Sequence, residues 1–115
     1  MAIRDEFGLS KKRLDIGVWD MDASATVNVA HGLSGTEWQS IRRVQATIRN
    51  DGDLVYQNLE SGTSTFTPDP MGMITNRDST NIVLVRVTGG VFDSAAHSTA
   101  PGGNRGWVDF EYIAD

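Results

Sequence analysis

Apolar and polar residues alternate with a period of two along most of this chain. In IRRVQATIRN, Val44, Ala46 and Ile48 share one face, while Arg43, Gln45, Thr47 and Arg49 take the other. Val27 and Val29 alternate with Thr26, Asn28 and Ala30 in TVNVAH. In GWVDFEYIAD, Val108, Phe110 and Tyr112 fall on one side and Trp107, Asp109, Glu111 and Ile113 on the other. Such alternation describes strands of an antiparallel sheet with one buried face. The clusters HGLSG, NDGD, ESGTS, TPDPMG and NRDSTN separate them as turn signals. The spacing predicts an all-β fold, a single antiparallel β-sandwich of about six to eight strands. One helical turn fits SGTEWQSIRR, where Ser34 or Thr36 precedes Glu37 in the manner of a cap.

Two segments break this pattern. NIVLVRVT is apolar on both faces, with Ile82 and Leu84 on one and Val83, Val85 and Val87 on the other. A strand of that kind lies mid-sheet with cover on both sides. A small sandwich covers one face, so the second cover is expected from a neighbouring subunit, or else from a loop or the N-terminal segment. Residues 1 to about 14 lack alternation, with Ile3, Phe7 and Leu9 scattered among charges. They are expected to form an extended arm at 1–14, ahead of a sandwich domain at 15–115. The three apolar residues would anchor the arm, on its own domain or on a larger assembly.

Composition narrows the range of partners. A chain of 115 residues makes one domain, and 39% hydrophobic with 22% charged residues is ordinary for a globular one. A net charge of −5 argues against nucleic acid, whose phosphates call for a basic surface. Eight of the ten cations are arginine, the residue that forks onto carboxylates at protein interfaces. There is no cysteine, which removes disulfides and thiolate metal sites. The longest apolar run is too short to span a bilayer, and MAIRDEFGLSKKRL carries charges where a signal peptide needs an apolar core. Synthesis in the cytoplasm with no membrane insertion is the expectation.

No constellation makes a case for catalysis. His31 and His97 are too isolated for a zinc site, and no cofactor is expected. His31 reads as a strand-end residue bonding a turn carbonyl, and His97 as solvated in a loop. The pairs in DGD and DMD do not continue into a calcium loop, so NDGD reads as a tight turn. Asp109 and Glu111 share a strand face as glycosidase carboxylates do, but Arg42, Arg43 or Arg49 is placed to neutralise them across strands. The glycine-rich GGVFDSAAHSTAPGGNRG reads as a hairpin connection whose neck is latched by Asp93 and Arg105. That leaves His97, Ser98 and Thr99 at an exposed tip as a possible ligand contact.

The ordered pieces Trp19–Met21–Asp22, His31–Gly32–Leu33, Ile48–Arg49–Asp51, Thr80–Asn81–Ile82 with Leu84 and Arg86, Gly89–Gly90 with Phe92 and Asp93, and Asn104–Arg105–Gly106 form a pattern. Spanning residues 16 to 113, it resembles a small module of tailed bacteriophages of Bacteroidetes hosts. The resemblance implies a virion appendage: a tail fibre, tail tip or capsid decoration, bound to other virion proteins. The central strand pattern and last strand are also similar to the H-type lectin sandwich, which trimerises and binds sugars. Together these imply a non-enzymatic structural protein assembling as a homo-oligomer, a homotrimer above all. Its contacts would be Val83, Val85 and Val87 or the Trp107 and Ile113 face. The alternative is a lectin-like module for host attachment through surface glycans.

Overall fold

The computed structural model describes residues 3–4, 8–60 and 72–114. Within them the chain is all-β, with strands β1 (Ile3–Arg4), β2 (Ser10–Asp15), β3 (Thr26–Ala30), β4 (Arg42–Arg49), β5 (Tyr56–Asn58), β6 (Gly72–Arg77), β7 (Asn81–Arg86) and β8 (Gly106–Tyr112). They form two antiparallel sheets. One has the order β1-β2-β8-β4-β5 and the other β3-β7-β6. The inward residues are those the alternation selects: Ala46 and Ile48 of β4, Val29 of β3, Ile82 and Leu84 of β7, and Val108, Phe110 and Tyr112 of β8. Trp19, Met21 and Phe92 complete this core from loops. The turn at SGTEWQSIRR is a short 3-10 helix, Glu37–Ser40.

The N-terminal boundary moves. Residues 10–15 are not part of an arm: β2 pairs along its whole length with β8, from Ser10↔Tyr112 to Asp15↔Trp107. Its alternation is hidden because a lysine occupies an inward position. Lys12 is half-buried and sends its ammonium across the sandwich to the His31 carbonyl oxygen at 2.8 Å. The aliphatic stem thereby serves as the apolar residue would. Leu9, an expected anchor for a partner, is buried within the chain itself. The side chain of Ile3 and the whole of Phe7 lie outside the described residues.

NIVLVRVT does lie mid-sheet, with β7 between β3 and β6. Ile82 and Leu84 enter the core, while Val83, Val85 and Val87 are half-buried on the opposite face. Trp107 is likewise half-buried, and Ile113 is 48% exposed.

Strand direction divides the molecule into two poles. β2, β4 and β7 end, and β3, β5, β6 and β8 begin, at one pole, as Asp15↔Trp107, Ile48↔Gly106, Arg49↔Tyr56 and Gly72↔Arg86 show. The connections 16–25, 50–55 and 87–105 gather there. The start of β2 and the end of β8 lie together at the opposite pole.

Candidate functional site

The loop pole is organised by two buried arginines. Arg105 is 0% exposed. Its Nε donates to the Trp19 carbonyl at 3.0 Å and its Nη1 to the Arg49 carbonyl at 2.9 Å. Its Nη2 lies 3.0 Å from Asp51 Oδ1, off the hydrogen-bond direction, so this contact is charge against charge. Asp51 also accepts from the Ser98 amide and hydroxyl at 3.2 and 3.1 Å and from the Thr99 amide at 2.9 Å. Burial pulls the Asp51 carboxyl upward, but the Thr99 amide, the Arg105 guanidinium and the Ser98 hydroxyl together hold it below the usual carboxylate range.

Arg86 forms the second clamp. Its Nε donates to the Met21 carbonyl at 2.6 Å, its Nη1 to the Thr88 hydroxyl at 3.1 Å, and its Nη2 sits 3.4 Å from Asp93 Oδ1. Asp93 in turn accepts from the Gly89 amide at 2.8 Å. The latch between Asp93 and Arg105 is therefore absent: the two face different partners. The physical reason is topological. β7 and β8 belong to different sheets, so residues 87–105 cross from one sheet to the other and have no hairpin neck.

Of the expected exposed tip, His97 is turned inward. His97 is 5% exposed and packs edge-on against the buried Phe92 ring, with centroids 5.1 Å apart. Its carbonyl accepts from the Met21 amide, and its Nδ1 lies 3.2 Å from the Ser94 hydroxyl. Burial, and then the Arg105 charge, hold the imidazole below its ordinary pKa, with Asp51 opposing. Ser98 gives both its amide and its hydroxyl to Asp51, while Thr99 gives only its amide and stays exposed. A carboxylate three strands away in sequence was the missing partner. NDGD reads as a turn, which it is, yet the same Asp51 gathers the distant loop; its place in the Ile48–Arg49–Asp51 piece is the only signal of that role.

Asn104 and Gly106 complete the junction. Asn104 Oδ1 accepts from the Gly17 amide at 2.9 Å. A side chain at Gly106 would collide with the Thr47 carbonyl, so β8 can cross β4 here only with glycine. Elsewhere, His31 behaves as its sequence position suggests: its Nε2–H donates to the Asp78 carbonyl at 2.9 Å, while Nδ1 accepts from the Leu33 amide at 3.0 Å. The ring is thereby oriented by a bond at each nitrogen.

The outer face of the five-stranded sheet borders this pole. Trp107 has the Arg49 guanidinium 4.9 Å and the Arg13 guanidinium 5.6 Å from its ring centre, and Tyr56 stacks at 6.1 Å. The Tyr56 hydroxyl donates to Asp53 Oδ1 at 2.6 Å, and Arg49 Nη1 to the same oxygen at 3.1 Å. The Tyr56 bond, above all, keeps the Asp53 carboxyl below its ordinary value. Further along the face, Asp109 pairs with Arg13 at 2.7 Å and Glu111 with Arg43 at 2.8 Å. Arg43 is one of the expected neutralising residues, whereas Arg13 comes from the strand hidden in the N-terminal segment. Both carboxylates are thus engaged by guanidinium. Among the described residues, no group of three or more His, Asp or Glu could hold a metal ion, and no helix is long and apolar enough to cross a membrane. Compared with family models, with curated proteins and with solved structures, the chain matches none of them.

Proposed function

We propose that this chain is a non-enzymatic structural component of a bacteriophage virion, a fibre, tail or capsid appendage that assembles as a homo-oligomer. The observation that carries the reading is the polarity of the sandwich. The start of β2 and the end of β8 lie at one pole; at the other, the ion pairs Arg49–Asp53, Arg86–Asp93 and Arg105–Asp51 tie down two connections, and Arg86 and Arg105 hold the third through the Met21 and Trp19 carbonyls. A rigid pole opposite the start of β2 and the end of β8 suits a module that is held at one end and displayed at the other. Residue by residue, the motif pieces of the phage resemblance fall mostly within this clamped pole, where their tasks are structural. Val83, Val85 and Val87, or the Trp107 and Ile113 face, remain the proposed contacts between copies, and residues preceding β2 the proposed link to other virion proteins. Immunogold labelling of intact particles with antibody raised against the chain tests the assignment. Label at a discrete appendage is the expected result, and particles free of the protein would refute it.

A lectin-like role in host attachment is favoured by one specific observation. Tyr56 is 52% exposed and stacks on Trp107, beside Arg13, Arg49 and Asp53. An aromatic surface beside planar polar groups suits the apolar face and paired hydroxyls of a sugar. Glycan-array binding lost in Tyr56→Ala would support this role; binding unchanged by that substitution would exclude this surface.

A further inference from the structure

A groove crosses the outer face of the five-stranded sheet towards the pole where β2 begins and β8 ends. β4 loses its regular pairing with β8 between Arg42 and Gln45, and Arg43 adopts φ 53°, a left-handed conformation uncommon outside glycine. This bulge aims Arg43 across at Glu111. Beside it opens a cavity of about 520 Å³ whose lining holds four cations, Lys11, Lys12, Arg13 and Arg43, and two anions, Asp109 and Glu111. The Lys12 ammonium leaves this face for the His31 carbonyl, so the charges in the groove are Lys11, Arg13 and Arg43 against Asp109 and Glu111, an excess of one positive charge. Because the whole chain carries −5, the rest of it bears −6. Lys11 is exposed and has no ion-pair partner among the described residues.

The opposite pole has the complementary character. Its arginines are each matched internally, Arg49 to Asp53, Arg86 to Asp93 and Arg105 to Asp51. Asp20 and Asp22, both exposed, have no such partner among the described residues. They sit on a compact turn, because Asp20 Oδ1 accepts the amides of Asp22 and Ala23 at 3.0 Å each. The Ser24 amide also bonds the Asp20 carbonyl, and buried Met21 seats the turn on the core, so the two carboxylates are held on a preorganised turn.

We propose that copies of this chain associate head to tail, the Asp20–Asp22 turn of one copy seated in the groove between Lys11 and Arg43 of the next. This rests on the homo-oligomer reading and deepens it by naming both surfaces. Because the two surfaces differ, the contact is heterologous. It closes a ring, of which a trimer is one case, when the rotation between copies permits, and otherwise extends a filament. The groove lies on the same sheet face as Trp107 and Ile113.

The test is light scattering of the full chain over a range of concentration. At about 0.1 M salt charges act over about 10 Å, and at about 1 M over about 3 Å. Association at low salt that is lost at high salt is expected. The double variants Lys11→Glu/Arg43→Glu and Asp20→Asn/Asp22→Lys should each raise the dissociation constant about tenfold or more, from several exposed ion pairs lost together. An equimolar mixture of the two should recover association, since the groove of each variant meets a turn of opposite charge on the other, at every contact of a filament or even-membered ring and at two of the three in a trimer. Asn at position 20 keeps the oxygen that organises the turn. Assembly that survives high salt and both variants would overturn the head-to-tail contact while leaving homo-oligomerisation intact. A monomer at every salt and concentration would sink both. A monomeric chain retained on an immobilised acidic polysaccharide through Lys11 and Arg43 would reassign the groove to that ligand and overturn the proposal.

Discussion

Replacing Arg105 by methionine should be among the most damaging single changes to this fold. The guanidinium is fully enclosed and holds two carbonyls, those of Trp19 and Arg49, besides facing Asp51. Methionine fills much of the volume but leaves both carbonyls without this donor and Asp51 without its cation. Breaking a buried ion pair from one side typically costs about 3–5 kcal/mol. A domain of this size has roughly 5–15 kcal/mol of stability in total, so the loss is a large share of it. Urea unfolding followed by fluorescence of Trp19, Trp38 and Trp107 measures the loss directly. A cycle with Asp51→Asn separates the pair from its surroundings, and coupling of about 1.5 kcal/mol or more is expected of residues in contact. The matching cycle of Arg105→Met with Asp93→Asn should be additive within about 0.5 kcal/mol, because the two share no partner. Coupling found with Asp93 and not with Asp51, or a cost for Arg105→Met below about 1 kcal/mol, would refute this account of the clamp.

Stability should fall in acid in two stages. His97 titrates below its ordinary value in the folded chain, so its contribution is complete above about pH 6.5 and declines as pH drops below that point. Asp51 acts with the same sign lower down, its stabilisation present above the ordinary carboxyl value near 3.9 and lost as pH falls through its lower folded value; urea midpoints that rise between neutral pH and about pH 5 would contradict the His97 part. Gly106→Ala should destabilise by roughly 3 kcal/mol or more, since the new methyl meets backbone that cannot yield easily, and calorimetry showing an unchanged melting temperature would disprove the close crossing. Lys12→Met keeps the aliphatic stem but removes the bond to the His31 carbonyl, and a loss of about 1.5–3 kcal/mol in chemical unfolding is expected of a charged donor.

Local alternation was enough to determine the all-β class and the inward residues of β3, β4, β7 and β8, because a strand's faces are set by a period of two whatever it packs against. His31 was legible too, since its partners are supplied by an adjacent turn and the following loop. β2 was not, because one lysine stem takes the place of an apolar residue and its charge masks the pattern. The clamp was not legible for a different reason. Asp93 and Arg105 stand at the ends of one loop, and nearness in sequence suggests that they meet. Only the tertiary structure decides that β7 and β8 lie in separate sheets, which sends Asp93 to Arg86 and Arg105 to Asp51. Which charges pair is a property of strand order, and strand order follows from how two sheets share one core.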